Sequence, residues 1–147
     1  MTEKPSPPIV DAWVALNRAQ QAALLKIERA FRDAGLPPLS WYDVLWELEK
    51  TDKEGLRPIE IERRVLITQS NISRLIDKLE NRGYVERQAC PDDGRGQYIM
   101  ITTAGREIRK RMWPVYAGAI SDAVGQHLSE KEAANLSALL SRLGNGP

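Results

Sequence analysis

For most of this chain the apolar residues return every three to four positions, and in one short stretch they alternate. These two periods divide it into helices and a hairpin. From Val10 to Ala34, Trp13, Leu16, Leu24, Ile27 and Phe31 follow helical spacing with charged residues between them, until Gly35 and Pro37-Pro38 end the run. Ser40 is placed to cap a second helix, in which Trp41, Val44, Leu45 and Leu48 share a stripe. A third helix is expected to start near Pro58, a residue suited to a first helical position, and to end over Val65-Leu66-Ile67. Thr68 is the expected cap of a fourth, whose Ile72, Leu75, Ile76 and Leu79 form one face while Ser70, Ser73, Arg74, Asp77 and Lys78 form the other, with Gly83 as its stop. Two short helices joined by a tight turn make a helix-turn-helix candidate.

After Gly83 the period changes. Tyr84 to Cys90 and Gln97 to Thr102 read as strands joined by Pro91-Asp92-Asp93-Gly94-Arg95-Gly96, which predicts a β-hairpin with a charged tip. Thr103 is the expected cap of a fifth helix running past Met112, Trp113, Tyr116 and Ile120, with a kink at Pro114. Ser129-Glu130-Lys131-Glu132 is a capping box ahead of Leu136, Leu139, Leu140 and Leu143. The expected fold is mainly α with a small β-wing: a winged helix-turn-helix lobe over 40–102, flanked by helices at 10–34 and 103–143, all in one domain of 147 residues.

Composition narrows the function. One cysteine, Cys90, and one histidine, His127, supply neither a disulfide within the chain nor a closed zinc site, so no metal or cofactor is expected. No secretory leader and no run of about 18 uncharged apolar residues is legible, and the expected compartment is the cytoplasm, without membrane contact. The net charge is only +1, but its distribution is uneven: residues 57–111 carry twelve Lys+Arg against eight Asp+Glu, and the rest carries nine against twelve. The basic excess therefore falls on the helix-turn-helix and hairpin, where a nucleic-acid partner would lie. An enzyme is not expected, because there is no phosphate-binding glycine loop, no G-x-S-x-G elbow and no partner for the one histidine.

Asp93-Gly94-Arg95-Gly96-Gln97-Tyr98-Ile99-Met100-Ile101-Thr102-Thr103-Ala104-Gly105 resembles the D-x-R wing signature of the MarR (multiple antibiotic resistance regulator) family, with its L/I-T and trailing glycine. Thr68 to Glu80, followed by Gly83 and Val85-Glu86-Arg87, is similar to that family's recognition helix and first wing strand. One departure is that Val65-Leu66-Ile67 lacks the glycine many members carry in the turn.

The resemblance implies a homodimer, intertwined through the first, fifth and sixth helices. It also implies that the fourth helix enters the major groove of a double-stranded DNA operator and that the wing reaches the adjacent minor groove. The DNA-binding candidates are then Gln69, Ser70, Asn71, Ser73, Arg74 and Lys78 on the fourth helix, with Arg74 the best placed for a base edge, and Arg95 at the wing. A Gly-flanked arginine suits a narrow minor groove. Asp93 is assigned to wing support. A two-fold dimer separates its recognition helices by about 34 Å, so the operator should be a pseudo-palindrome. Repression is the family's usual mode.

The family also responds to small aromatic or phenolic compounds or to thiol oxidants. Trp13, Trp41, Tyr42, Trp46, Trp113 and Tyr116 are candidates for an effector pocket, with ordinary packing as the competing reading. Cys90 is the redox candidate; the missing second cysteine and the neighbouring Asp92 and Asp93 weigh against a reactive thiolate. The competing class is a winged helix used to bind protein, since fold alone does not fix function.

Overall fold

The computed structural model describes residues 3–51, 55–65, 71–90 and 93–144, with the side chains of 90 and 93–95 excluded. The elements in order are α1 (Pro7–Asp33), α2 (Leu39–Lys50), α3 (Pro58–Arg64), α4 (Ile72–Asn81), β1 (Val85–Cys90), β2 (Asp93–Ile101), α5 (Thr103–Ile120), a π turn (Ser121–Gly125) and α6 (Glu130–Gly144). They form two compact units, Phe31–Val115 and the remaining residues to either side. No helix among the described residues is long and apolar enough to cross a membrane.

The unit from Phe31 to Val115 holds a winged helix-turn-helix. Its core is built from Phe31, Val44, Leu45, Leu48, Ile61, Ile76, Leu79, Val85, Ile99 and Met112, each no more than 2% exposed. The α4 stripe is buried as its spacing predicts: Ile72, Leu75, Ile76 and Leu79 all lie inside. At roughly 1.5–3 kcal/mol per buried aliphatic side chain, that stripe holds a ten-residue helix too short to persist alone. Gly83 ends α4 at φ +78°: its N–H bonds the Glu80 carbonyl, and the Tyr84 N–H reaches back to Leu79 at 2.9 Å.

Several helix starts differ from the sequence expectation. Ser40 lies inside α2, which begins after extended Pro38 with no side-chain cap. The cap of α4 is Asn71, whose side chain accepts the Arg74 N–H, while Thr68 is outside the described residues. α5 is capped by Thr102 rather than Thr103: the Thr102 hydroxyl accepts the Gly105 N–H at 3.0 Å and donates to the Gly83 carbonyl at 2.6 Å. One hydroxyl serves both helices, and Thr103 has no such neighbour to choose it. The expected capping box is present, with Ser129 N–H donating to Glu132 at 3.0 Å and Glu132 N–H to Ser129 Oγ at 3.1 Å. α3 stops one residue early. Its last residue is followed by Val65 at φ −68°, ψ 146°, an extended conformation that suits a β-branched residue, so the turn needs no glycine at that point.

The wing is a two-stranded antiparallel sheet with Val85 opposite Ile101 and Ala89 opposite Gln97. The register then shifts, so that Cys90 faces Asp93 and Gly94-Arg95-Gly96 has no residues opposite it. The predicted tip is thus shorter than expected: Asp93 to Gly96 belong to β2 as an irregular, Gly-flanked segment. Leu56 adds a single-residue bridge on the far edge, exchanging two backbone bonds with Ile99 at 3.0 and 2.7 Å. Nothing in the sequence pattern pointed to that third pairing.

In the other unit, Ile27, Tyr116 and Ala119 are buried, whereas no residue of α6 is. Leu136, Leu139, Leu140 and Leu143 lie on its surface, as do Ile9, Val10 and Trp13 of α1. Pro114 does not terminate α5; the departure from α geometry comes later, in the π turn.

Candidate nucleic-acid interface

With its stripe buried, α4 must turn Ser73, Arg74, Asp77 and Lys78 outward, and all four are exposed. Among the described residues neither Arg74 nor Lys78 has a carboxylate partner, so both cations face solvent uncommitted. Asn71 is exposed as well, but its carbonyl oxygen is engaged in the cap at 3.0 Å, which leaves its NH2 group as the part available to a ligand. Gln69 and Ser70 lie outside the described residues, ahead of the first turn of α4. The side chains of Arg95, Asp93 and Cys90 are likewise outside; their backbones are placed at the distal end of the wing.

The two carboxylates on α4 are answered from the wing. Arg87 of β1 donates through Nη2 to Asp77, through Nε to Glu80 at 3.2 Å and through Nη1 to Gln97 of β2 at 3.4 Å. Sequence reading missed this residue. The available signal was a pair of acids one helical turn apart, a glycine stop, and an arginine two residues into the following strand. The base of the wing is close-packed too. A Cβ at Gly105, the trailing glycine of the wing signature, would overlap the Tyr84 carbonyl oxygen and touch Ile101, so this contact requires glycine.

The aromatic candidates of the Phe31–Val115 unit have different neighbours. Trp41 meets Tyr84 edge-on at 6.1 Å between centroids, and Arg82 lies 5.8 Å from both rings. Tyr42 is buried and stacks near Trp113 at 6.3 Å. Trp46 lies under Arg109 at 5.0 Å and Lys50 at 5.8 Å. Trp13 and Tyr116 belong to the other unit, the first 66% exposed and the second buried. A groove beside α6, lined by Val124, Leu128, Leu136 and Leu140 among others, includes no aromatic residue.

Two helices in helix-turn-helix order, the second apolar-backed with a free basic face, and an antiparallel wing define a winged-helix protein. Comparison with known proteins sharpens the class. The model of the MarR family matches residues 34–96. The HTH-type transcriptional regulator MhqR of Bacillus subtilis (strain 168) is 27% identical over 145 residues, covering 98% of this chain and 94% of that protein. A second B. subtilis relative, the uncharacterized HTH-type transcriptional regulator YkoM, is 34% identical over 85 residues, 58% of this chain and 54% of its own, so the chain spans about half the length of that relative. Among solved structures, Sco3205, a MarR family transcriptional regulator from Streptomyces coelicolor crystallised in complex with DNA, superposes with a TM-score of 0.88 at 27% identity, covering 99% of this chain and 91% of that one. The match to the MarR family model covers fewer than half of the residues, and the fold along nearly the whole chain is similar to that of Sco3205. MhqR and Sco3205, which both align with nearly all of the chain, are transcriptional regulators.

Proposed function

We propose that the protein binds double-stranded DNA sequence-specifically, as a homodimer on a pseudo-palindromic operator in the cytoplasm, and represses the genes beside it. The observation that carries this reading is the outer face of α4, where Arg74 and Lys78 stand exposed and unpaired while the neighbouring acids are both paired with Arg87. A helix presenting Ser, Asn, Arg and Lys donors beside a wing has the chemistry that meets phosphates and base edges. The likeness to Sco3205, whose structure is a DNA complex, supports the same reading. The dimer is supported by α6, none of whose residues is fully buried within its own chain although it carries Leu136, Leu139, Leu140 and Leu143. Release by a small aromatic compound completes the proposal, and within the Phe31–Val115 unit the partly exposed Trp46 and Trp113 are candidate partners.

The test is selection of duplexes from a random pool, followed by titration of the winner at several salt concentrations and with a set of phenolic compounds. A two-fold symmetric winner whose affinity falls steeply with salt is expected, each phosphate contact adding about 0.9 to the log–log slope. Arg74→Ala should cost about 1–3 kcal/mol and relax base preference at one position, whereas Arg95→Ala should weaken every sequence alike. A pool without enrichment and without salt-dependent binding would move the protein-interaction reading to first place.

A further inference from the structure

Arg87 occupies a position the DNA-binding reading does not by itself explain. It lies on β1, yet its guanidinium reaches Asp77 and Glu80 on α4 and Gln97 on β2, so one planar group holds the recognition helix and both wing strands. The arginine side chain is 28% exposed, less than Asp77 at 62% or Glu80 at 42%. Its three nitrogens are each committed to an acceptor within the chain, which leaves little of the fork for a phosphate. The acids it engages matter for what lies beside them. Asp77 is adjacent to Lys78 and three residues from Arg74, so an unanswered carboxylate there would repel the same phosphates those cations attract.

We propose that Arg87 is a positioning residue for DNA binding. It clamps the wing to the recognition helix and offsets part of the charge of Asp77 and Glu80, and it does so without touching DNA. The inference rests on the DNA-binding reading above. Ordinary surface ion pairs contribute little to stability, so the consequence should show in wing order and in affinity more than in unfolding.

A double-mutant cycle tests it, using the duplex chosen by selection. Arg87→Gln in the wild-type background should lose about tenfold in affinity across all sequences. The same substitution made on top of Asp77→Asn and Glu80→Gln should cost less than about threefold, because the groups through which Arg87 acts are already gone. A direct phosphate contact would instead cost the same in both backgrounds, and that equality would overturn the proposal, as would an Arg87→Gln variant that binds like wild type. Arg87→Lys, which keeps the charge but not the fork, should fall between the two and serves if the glutamine variant does not fold.

A second arm needs no DNA. Amide hydrogen exchange over residues 85–89 of the free protein should quicken in Arg87→Gln and in Asp77→Asn/Glu80→Gln alike. Unchanged exchange would refute the clamp. If the wild-type protein binds no duplex, the regulator reading fails on its own account while the exchange result still decides whether Arg87 fixes the wing.

Discussion

Asn71 joins two roles that one substitution series can separate. Its side chain caps α4 by accepting the Arg74 N–H at 3.0 Å, from a backbone at φ −146°, ψ 78° that is outside the helix. Asn71→Ala removes that acceptor and leaves a first-turn N–H to water, at a cost of about 1 kcal/mol. Asn71→Asp keeps the acceptor and adds a negative charge at the helix N-terminus, where the aligned peptide dipoles favour it by roughly 0.3–1 kcal/mol. In urea melts at one protein concentration, with a slope of about 1–3 kcal/mol/M, the alanine variant should unfold about 0.3–1 M earlier, and the aspartate variant no earlier than wild type. DNA titration should give a different order, since the aspartate brings a negative charge toward phosphate and both variants should bind more weakly than wild type. Equal loss of stability in the two variants would refute the capping role, because the aspartate carboxylate can accept the same bond that alanine cannot.

Gly105→Ala should be strongly destabilising, since its Cβ would overlap the Tyr84 carbonyl oxygen between the wing and α5; a urea midpoint within error of wild type would contradict the contact. Glu49 and Arg109 meet at 2.7 Å with side chains only 15% and 11% exposed, so Glu49→Ala strands a nearly buried guanidinium and should cost about 3 kcal/mol in the same melts. The Glu132 carboxyl is held below the usual carboxylate range, first by the Ser129 backbone N–H and then by the Ser129 side chain. Its contribution to α6 is therefore complete above the ordinary carboxylate pKa and is lost as pH falls through the lower folded-state value. Ser129→Ala should raise the Glu132 pKa part of the way back, which a carboxyl NMR titration would read directly.

Local chemistry makes much of this legible in the sequence alone. The α4 stripe follows from spacing alone, because residues three and four apart share a helix face whatever the helix packs against. The Ser129–Glu132 box is equally local, both of its bonds spanning three residues. The wing pairing from Val85 to Ala89 and the Gly83 stop were also readable, since alternation and a left-handed glycine are properties of short segments.

Where two neighbouring residues had equal local claims, the sequence could not choose. Thr102 caps α5 in place of Thr103 because the Gly83 carbonyl, nineteen residues away, is within 2.6 Å of its hydroxyl. Asn71 rather than Thr68 fixes where α4 begins, and it moved a candidate DNA contact partly into the cap.

The sequence by itself determined the elements, the order that makes a winged helix, and the faces that are apolar, since each of these rests on residues within a few positions of one another. Only the tertiary structure decided what those faces meet. Four aliphatic residues at identical spacing are buried on α4 and exposed on α6, a difference that periodicity cannot carry because it records a face and not its partner. The joining of Leu56 to Ile99, and of Arg87 to Asp77, Glu80 and Gln97, depends on chain segments that approach only once the core has closed.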